Sequence, residues 1–309
     1  MRYNWFENAT PGLKIMLSIA FMATFLLIGM FLSVLFAIPV WGNDILKTLT
    51  AGADIHSTTG INILKYLQTF QSIFLFVLPP LALPFFFGQR PLNYLYLKER
   101  PTAKSALLAI LILICAVPFI NFTEHINSLM KLPSWLSGIE SWMKDAEKNA
   151  QSLTEAFLKT STISGLLLNL FIMALIPAVG EEFVFRGLFQ RIFTEWTKNA
   201  HWGIIIAAAV FSSIHFQFYG FIPRFLLGVM FGYLLLWSGS IWLPVLSHFL
   251  NNALGVVFFY LNFNHYTSID IDKAGVESAL NLPVLFTSIF LTGILLFYFW
   301  KQKKQETEI

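Results

Sequence analysis

The sequence predicts an all-α membrane protein with about eight transmembrane helices, and two observations support that fold class. Charged residues make up 12% of the 309 residues and hydrophobic residues 56%, whereas a soluble domain usually carries about 25% charged residues. Apolar runs also recur along the whole chain, at lengths that suit helices crossing a hydrocarbon layer of about 30 Å. A chain with so few charges must place much of its surface against lipid.

Eight apolar runs approach the length of about 20 residues that a transmembrane helix needs. Polar residues interrupt or border the fourth and fifth runs, which are therefore the weakest of the eight predictions. In chain order the runs are 15–40, 66–88, 104–120, 163–180, 203–219, 222–238, 241–261 and 283–300.

The segment 121–160 separates the third and fourth runs and is too polar to cross a membrane. Residues 134–159 read SWLSGIESWMKDAEKNAQSLTEAFLK, with apolar residues at helical spacing. This pattern predicts an amphipathic helix on the membrane surface. The chain is thereby divided into N-terminal membrane helices with this helical loop (1–160), a helical core (161–262), and a last transmembrane helix with a basic tail (263–309).

The distribution of lysine and arginine predicts that both termini lie in the cytoplasm, as in a multi-pass protein of a bacterial inner membrane. Cytoplasmic loops are enriched in these residues, and the short loops follow this rule if eight spans begin and end inside. The cytoplasmic segments would hold Arg2, Lys14, Arg90, Lys98, Arg100, Lys104, Arg186, Arg191, Lys198, Lys301, Lys303 and Lys304. The outer segments would hold Lys47, Lys131, Lys144, Lys148, Lys159, Arg224 and Lys273.

Two glutamates and an arginine end the fourth apolar run. A charge near the bilayer centre costs about 2.5–3.5 kcal/mol, so each of these residues needs a partner or a function. Glu182 and Arg186 are four residues apart with the acid first, which is the favourable order for an ion pair on a helix. Glu181 projects about 100° away from Glu182 and is free to face another helix. Alternatively, both glutamates mark a solvated helix end.

His215 lies in the next apolar run and is related to Glu181 by a predicted helical hairpin. The polar stretch 196–201 is the natural turn, and 198 is the midpoint between the two residues. Two helical arms would place both side chains about 25 Å from the turn, at a rise of 1.5 Å per residue. A carboxylate and an imidazole that meet there can activate water. Alternatively, His215 forms a hydrogen bond between helices.

His248 and Asn252 are one helical turn apart and share a face of the seventh run. Both side chains can donate hydrogen bonds to one oxygen, which is the requirement where negative charge develops on a tetrahedral intermediate. Pro244 precedes them and predicts a kink or a helix start. Straight helices would place His248 nearer the cytoplasmic side than His215, so their convergence requires a bend or spans of unequal length. Polar contacts between helices are the alternative.

In their order along the chain, these three clusters resemble the CPBP intramembrane endopeptidases (the Abi family), which include the type II CAAX prenyl proteases. The family pattern EExxxR, FxxxH and HxxxN occurs here at residues 181–186, 211–215 and 248–252. The resemblance covers roughly residues 165–260. It implies an eight-helix glutamic-type intramembrane endopeptidase that uses no cofactor.

By this resemblance, each motif residue acquires an expected role. Glu181 and His215 would activate the attacking water, His248 and Asn252 would hold the oxyanion, and Glu182 and Arg186 would support them. The expected substrate is a membrane-associated protein or peptide, CAAX-like termini included, cleaved near the cytoplasmic side of the bilayer. Nucleic acid is not an expected partner, since the net charge is only +3 and no basic stripe occurs.

Three other functions remain open from the sequence. Glu181, His215 and His248 could supply the ligands of a catalytic zinc ion, although the H-E-x-x-H helix of common zinc proteases does not occur. A transporter would usually show paired repeats, whereas the ionisable residues of the three clusters all fall in one half of this chain. A non-catalytic immunity or regulatory protein could share the same fold.

Overall fold

The computed structural model describes residues 6–52, 54–269, 271, 274, 276 and 281–307, and these residues form an all-α fold. Arg2 and Lys273, two of the charges used to predict orientation, lie outside this range. The helices of the described residues are α1 (Pro11–Trp41), α2 (Asn43–Ala51), α3 (Thr58–Phe86), α4 (Pro91–Tyr94), α5 (Ala103–Ser128), α6 (Ser137–Leu158), α7 (Ile163–Thr197), α8 (Ala200–Ser213), α9 (Phe221–Ser238), α10 (Trp242–Phe263) and α11 (Asn281–Thr307).

Within the described residues, seven helices are long and apolar enough to cross a membrane, namely α1, α3, α5, α7, α9, α10 and α11. The predicted polytopic all-α architecture is therefore confirmed. The predicted fifth span, 203–219, is instead the 14-residue helix α8. At 1.5 Å per residue α8 is about 21 Å long, which is shorter than the hydrocarbon layer. The predicted division into three segments is tested by nothing in the fold and stays a prediction.

The turn between α7 and α8 lies where the hairpin argument put it. Lys198 ends α7 in the left-handed conformation, with φ of 53°. Asn199 caps α8, because its side chain accepts hydrogen bonds from the backbone N–H groups of His201 and Trp202. This satisfies two of the orphan donors of the first helical turn. Local sequence thus fixes a tight reversal between the two helices.

The fourth span is longer than predicted, since α7 does not stop at residue 180 but continues to Thr197. Two stretches of α7 are wound as π-helix, Leu170–Leu175 and Phe183–Phe189. Between them lie Glu181 and Glu182, at the middle of the helix rather than at its end. Wide π turns are frequent at functional sites, and here they flank the two acidic residues.

The segment 121–160 packs more closely on the bundle than a helix lying only on the membrane surface. Its first eight residues belong to α5, which ends at Ser128. At the end of α6, Phe157 and Leu158 are buried against the other helices, with 2% and 8% of their surface exposed. Trp142, earlier in α6, is 52% exposed. The predicted amphipathic helix is α6, whose end packs on the bundle, while its position relative to the bilayer surface stays a prediction.

Helices α8 and α9 form an antiparallel pair that depends on two glycines spaced as GxxxG. A Cβ on Gly228 would lie 3.0 Å from the Cβ of Ala208, and one on Gly232 would lie 2.7 Å from a methyl group of Ile204. Small residues at this spacing allow membrane helices to approach closely. The motif holds α8, and the turn that follows it, against α9.

One end of the bundle collects the loops that carry most of the basic residues. The Lys14 ammonium contacts the Glu195 carboxylate at 2.8 Å, which places the start of α1 beside the end of α7. Lys104, at the start of α5, lies 5.4 Å from the ring centroid of Tyr298 in α11. Arg191 of α7 also donates to the carbonyl of Tyr94 in α4, which precedes α5. The start of α1 and the end of α11 therefore lie on the same side. We call this side the basic end of the bundle.

Candidate active site

Glu182 and Arg186 form the ion pair that their spacing predicts. Arg186 Nη1 donates to Glu182 Oε1 at 2.9 Å, and the two side chains are 1% and 0% exposed. The guanidinium also packs over the ring of Phe211, 4.6 Å from its centroid, and near that of Phe231. A buried charge is tolerated because it is both paired and stacked.

His248 lies between the two glutamates, which spacing alone did not reveal. Its Nδ1 is 2.7 Å from Glu182 Oε1, and its Nε2 is 3.8 Å from Glu181 Oε2. Because an ionised carboxylate only accepts hydrogen bonds, Nδ1 carries the proton that is shared with Glu182. The Nε2 atom is then the one directed at Glu181.

His215 lies in the turn that directly follows α8. Its Nδ1 is 2.8 Å from the carbonyl oxygen of Phe211. A carbonyl oxygen is only an acceptor, so Nδ1 carries a proton and Nε2 of the neutral ring is the acceptor. The FxxxH spacing therefore has a local cause, since the backbone of Phe211 sets the tautomer of the histidine four residues later.

The four residues with predicted catalytic roles line one cavity, which we call the central cavity. It has a volume of about 400 Å³ and is lined by Glu181, His215, His248 and Asn252, among others. Asn252 Nδ2 donates to the carbonyl of Met173 at 3.4 Å, and its Oδ1 accepts from Asn251 at 3.3 Å. The amide of Asn252 is thereby held between α7 and its neighbour on α10.

The structure explains how His248 reaches the depth of the glutamates. Arg191 in α7 donates to the carbonyl of Tyr94, and the N–H of Ile241 donates to that of Tyr96. The two helices are therefore level at residues 191 and 241, and the last six residues of α7 extend beyond the start of α10. The sequence requires a bend or spans of unequal length if His248 is to converge with the other residues. The unequal lengths of α7 and α10 meet this requirement.

The central cavity lies toward the end of the bundle opposite the basic end. Thr154 and Leu158 of α6 line it, and it adjoins a wider cavity of about 710 Å³ that we call the vestibule. Gln151 and Glu147 of α6 line the vestibule. If the basic end is cytoplasmic, the approach to Glu181 lies on the other face. The expectation of cleavage near the cytoplasmic side does not agree with this arrangement.

Three further polar residues line the central cavity and had no predicted role there, namely Gln217, Arg224 and Asn251. Asn251 was part of a polar cluster in the sequence, and Arg224 was counted only as an outer-segment charge. Lys65, the residue just before the second apolar run, was not among the charges used to predict orientation. It is 8% exposed within α3 and donates to Asn169 Oδ1 at 2.7 Å.

The donor set does not fit the proposed zinc site. Among the residues that the structure describes, no three His, Cys, Asp or Glu side chains are grouped so that they could hold a metal ion. No step through a metal ion is therefore derived.

Comparison with known proteins gives one family match. Residues 163–254 match the family model described as type II CAAX prenyl endopeptidase Rce1-like. The chain contains an Rce1-like domain. No curated protein and no solved structure gives a match to the chain.

The Rce1-like domain begins with α7 and ends within α10, so that it includes all seven motif residues together with Arg224. Helices α1, α3 and α5 precede it in the chain and pack against it. The family suggests intramembrane proteolysis of a protein substrate.

Proposed function

We propose that this protein is an intramembrane endopeptidase of the glutamic type, which hydrolyses a peptide bond in a membrane-associated protein or peptide. One observation carries the proposal: a carboxylate, two imidazoles and a carboxamide, from two helices and a turn, line a single cavity among membrane helices. Polar groups at such depth are costly and usually functional. Their combination supplies a base and donors for an oxyanion.

In the proposed reaction, Glu181 takes a proton from a water molecule while the water oxygen bonds to the peptide carbonyl carbon. His215 positions that water, since its Nε2 is free to accept a hydrogen bond from it. The bond between the carbonyl carbon and the amide nitrogen then breaks, and the proton on Glu181 passes to the leaving nitrogen. Glu181 thereby returns to its ionised state.

His248 and Asn252 would hold the negative charge on the carbonyl oxygen. His248 Nδ1 already shares its proton with Glu182, so donation from Nε2 requires the ring to carry both protons. The carboxylates of Glu181 and Glu182, one on each side of the ring, stabilise that imidazolium. Glu182 thus has a defined part in the proposal, which is to hold His248 in its donating form, and Arg186 fixes Glu182.

The proposal includes an orientation in the membrane. Helices α8 and α9 form a hairpin that leaves from and returns to the basic end, so the short helix α8 does not change the parity of the crossings. Both termini then lie on one side. The positive-inside rule assigns the basic end to the cytoplasm, which puts the vestibule on the opposite side.

The test is the substitution Glu181→Gln, which removes the base and keeps the size of the side chain. Glu195→Gln is the matched control on the same helix, because Glu195 is at the far end and its side chain is 43% exposed. Membranes from cells that express each form are compared by mass spectrometry of new peptide termini. We expect termini that occur with the wild type and the control and are lost with Glu181→Gln. Identical termini in all three would refute the proposal.

A further inference from the structure

Arg224 lines the central cavity but has no part in the proposed reaction. Among the described residues that line this cavity, it is the one lysine or arginine. It lies in the first turn of α9, nine residues after the histidine that would position water. We propose that Arg224 binds a carboxylate of the peptide substrate, either its C-terminal carboxylate or an Asp or Glu side chain. This inference rests on the proposed function.

Two hydrogen bonds hold the guanidinium of Arg224 in place. Nη1 donates to the backbone carbonyl of Gln217 at 3.0 Å, and Nη2 donates to Gln217 Oε1 at 2.5 Å. A guanidinium has five N–H donors in a fixed fork, so these two bonds orient the group and leave donors for a second partner. A carboxylate matches that fork in geometry and charge.

The guanidinium of Arg224 occupies the space that a side chain at residue 220 would fill. A Cβ at this position would lie 2.8 Å from Cζ, Nη1 and Nη2 of Arg224. The flat guanidinium therefore rests directly on the backbone of the turn that precedes α9. Any side chain at residue 220 would displace it, although the charge would remain.

The surrounding charges restrict where a substrate carboxylate can settle. Arg224 borders the central cavity, the vestibule and a third cavity of about 310 Å³ between α5, α9 and α10. Glu124, Glu147 and Glu155 line the vestibule, and Glu181 lies in the central cavity. These carboxylates repel an anion along most of the approach. The junction at Arg224 is the place where a peptide carboxylate meets a cation, within reach of the reacting groups.

A structural role for Arg224 is the rival explanation, because its bonds to Gln217 also brace the turn that carries His215. The two roles predict different kinetics. Loss of a brace would lower kcat for every substrate alike. Loss of a carboxylate site would raise KM only for substrates that carry the carboxylate.

The experiment uses the purified protein in detergent micelles and a dye-labelled farnesylated peptide with a CAAX terminus. The peptide is made as the free acid, as the C-terminal amide, and as the amide with Glu in the last position. For the wild type we expect KM of the acid to be about tenfold below that of the amide, which is the size of one charge-assisted contact. If the Glu-containing amide recovers the low KM, Arg224 reads any carboxylate; if it does not, Arg224 reads the terminal one.

Arg224→Gln should remove the difference between acid and amide, and Gly220→Ala should reduce it. Arg90→Gln, an exposed arginine near the basic end, is the control and should leave it unchanged. The same peptides are also bound to the inactive Glu181→Gln form, with affinity read by fluorescence anisotropy, so that selectivity is measured without turnover. Two results would overturn the inference. One is a preference for the acid that persists in Arg224→Gln, and the other is the absence of any preference when Arg224 is present. Binding selectivity without cleavage by the wild type would count against the proposed hydrolysis alone.

Discussion

At the scale of single residues, Glu182 connects two other side chains of the candidate active site. One oxygen of its carboxylate accepts from both Arg186 and His248. The acid therefore neutralises a buried guanidinium and fixes the proton of an imidazole at the same time. A substitution of Glu182 should therefore lower both the stability of the protein and its activity.

Glu182→Gln should unfold the protein more easily, because it leaves Arg186 buried without its counter-ion. Breaking a buried ion pair from one side costs about 3–5 kcal/mol. Unfolding in mixed micelles, followed by circular dichroism, measures the change. The double variant Glu182→Leu with Arg186→Met should recover part of the loss, since no charge is then left unpaired. A double variant less stable than the single one would contradict this explanation.

Residue spacing predicted the pairing of Glu182 with Arg186 because both lie on one helix, four positions apart. The contact of Glu182 with His248 could not be predicted in this way. It joins residues 66 positions apart and depends on how α7 and α10 pack. The tautomer of His215 was in principle predictable, since its partner is the carbonyl four residues earlier.

At the scale of helices, the hairpin of α8 and α9 holds the turn that carries His215. The close approach of these helices depends on Gly228 and Gly232, whose GxxxG spacing is visible in the sequence. At the end of α8 the Ser212 hydroxyl also donates to the carbonyl of Phe221 at 2.7 Å. Packing at the glycines should therefore control the position of His215.

Gly228→Leu should separate α8 from α9, since a larger side chain would meet the backbone and side chain of Ala208. Overpacking of this kind costs about 1–3 kcal/mol. We expect a lower unfolding temperature and a loss of most activity in a peptide-cleavage assay. Gly293→Leu in α11 is the control, because a Cβ there meets nothing within 4 Å. Equal activity of the two variants would show that the glycine contact does not position the site.

The extent of the helices was harder to predict than their existence. Hydropathy ended the fourth span at residue 180, because three charged residues follow. In the structure Arg186 is paired with Glu182, the two glutamates flank His248, and α7 continues through all three charged residues. The turn at Lys198 was predicted correctly, since a left-handed residue and an asparagine cap are local signals. The length of α8 was not, because the apolar run includes the turn that carries His215.

At the scale of the whole molecule, the basic loops and the vestibule lie at opposite ends of the bundle. The sequence predicted the fold class and the collection of the basic loops at one end of the bundle. The sequence did not predict at which depth along the bundle the central cavity opens, because that depth depends on how α6 packs over α7, α9 and α10. No local pattern encodes this packing.

The proposed orientation predicts opposite labelling of two cysteines in a Cys115→Ser background. Lys198→Cys at the basic end should react with a membrane-impermeant maleimide only after the cytoplasmic face is exposed. Gln151→Cys in α6 should react in intact cells. Labelling of inside-out and right-side-out vesicles measures both. The reverse pattern would show that the basic end faces outward.

The placement of α6 determines on which side of the membrane the cleaved fragment is released. Gln151 lines the vestibule, and Thr154 lines both the vestibule and the central cavity that Glu181 also lines. Under the proposed orientation, the polar fragment freed by hydrolysis would diffuse away outside the cell, while the lipid-embedded remainder would stay behind. Exported peptides and the outward-facing stubs of membrane proteins are therefore the first population in which to search for cleavage products.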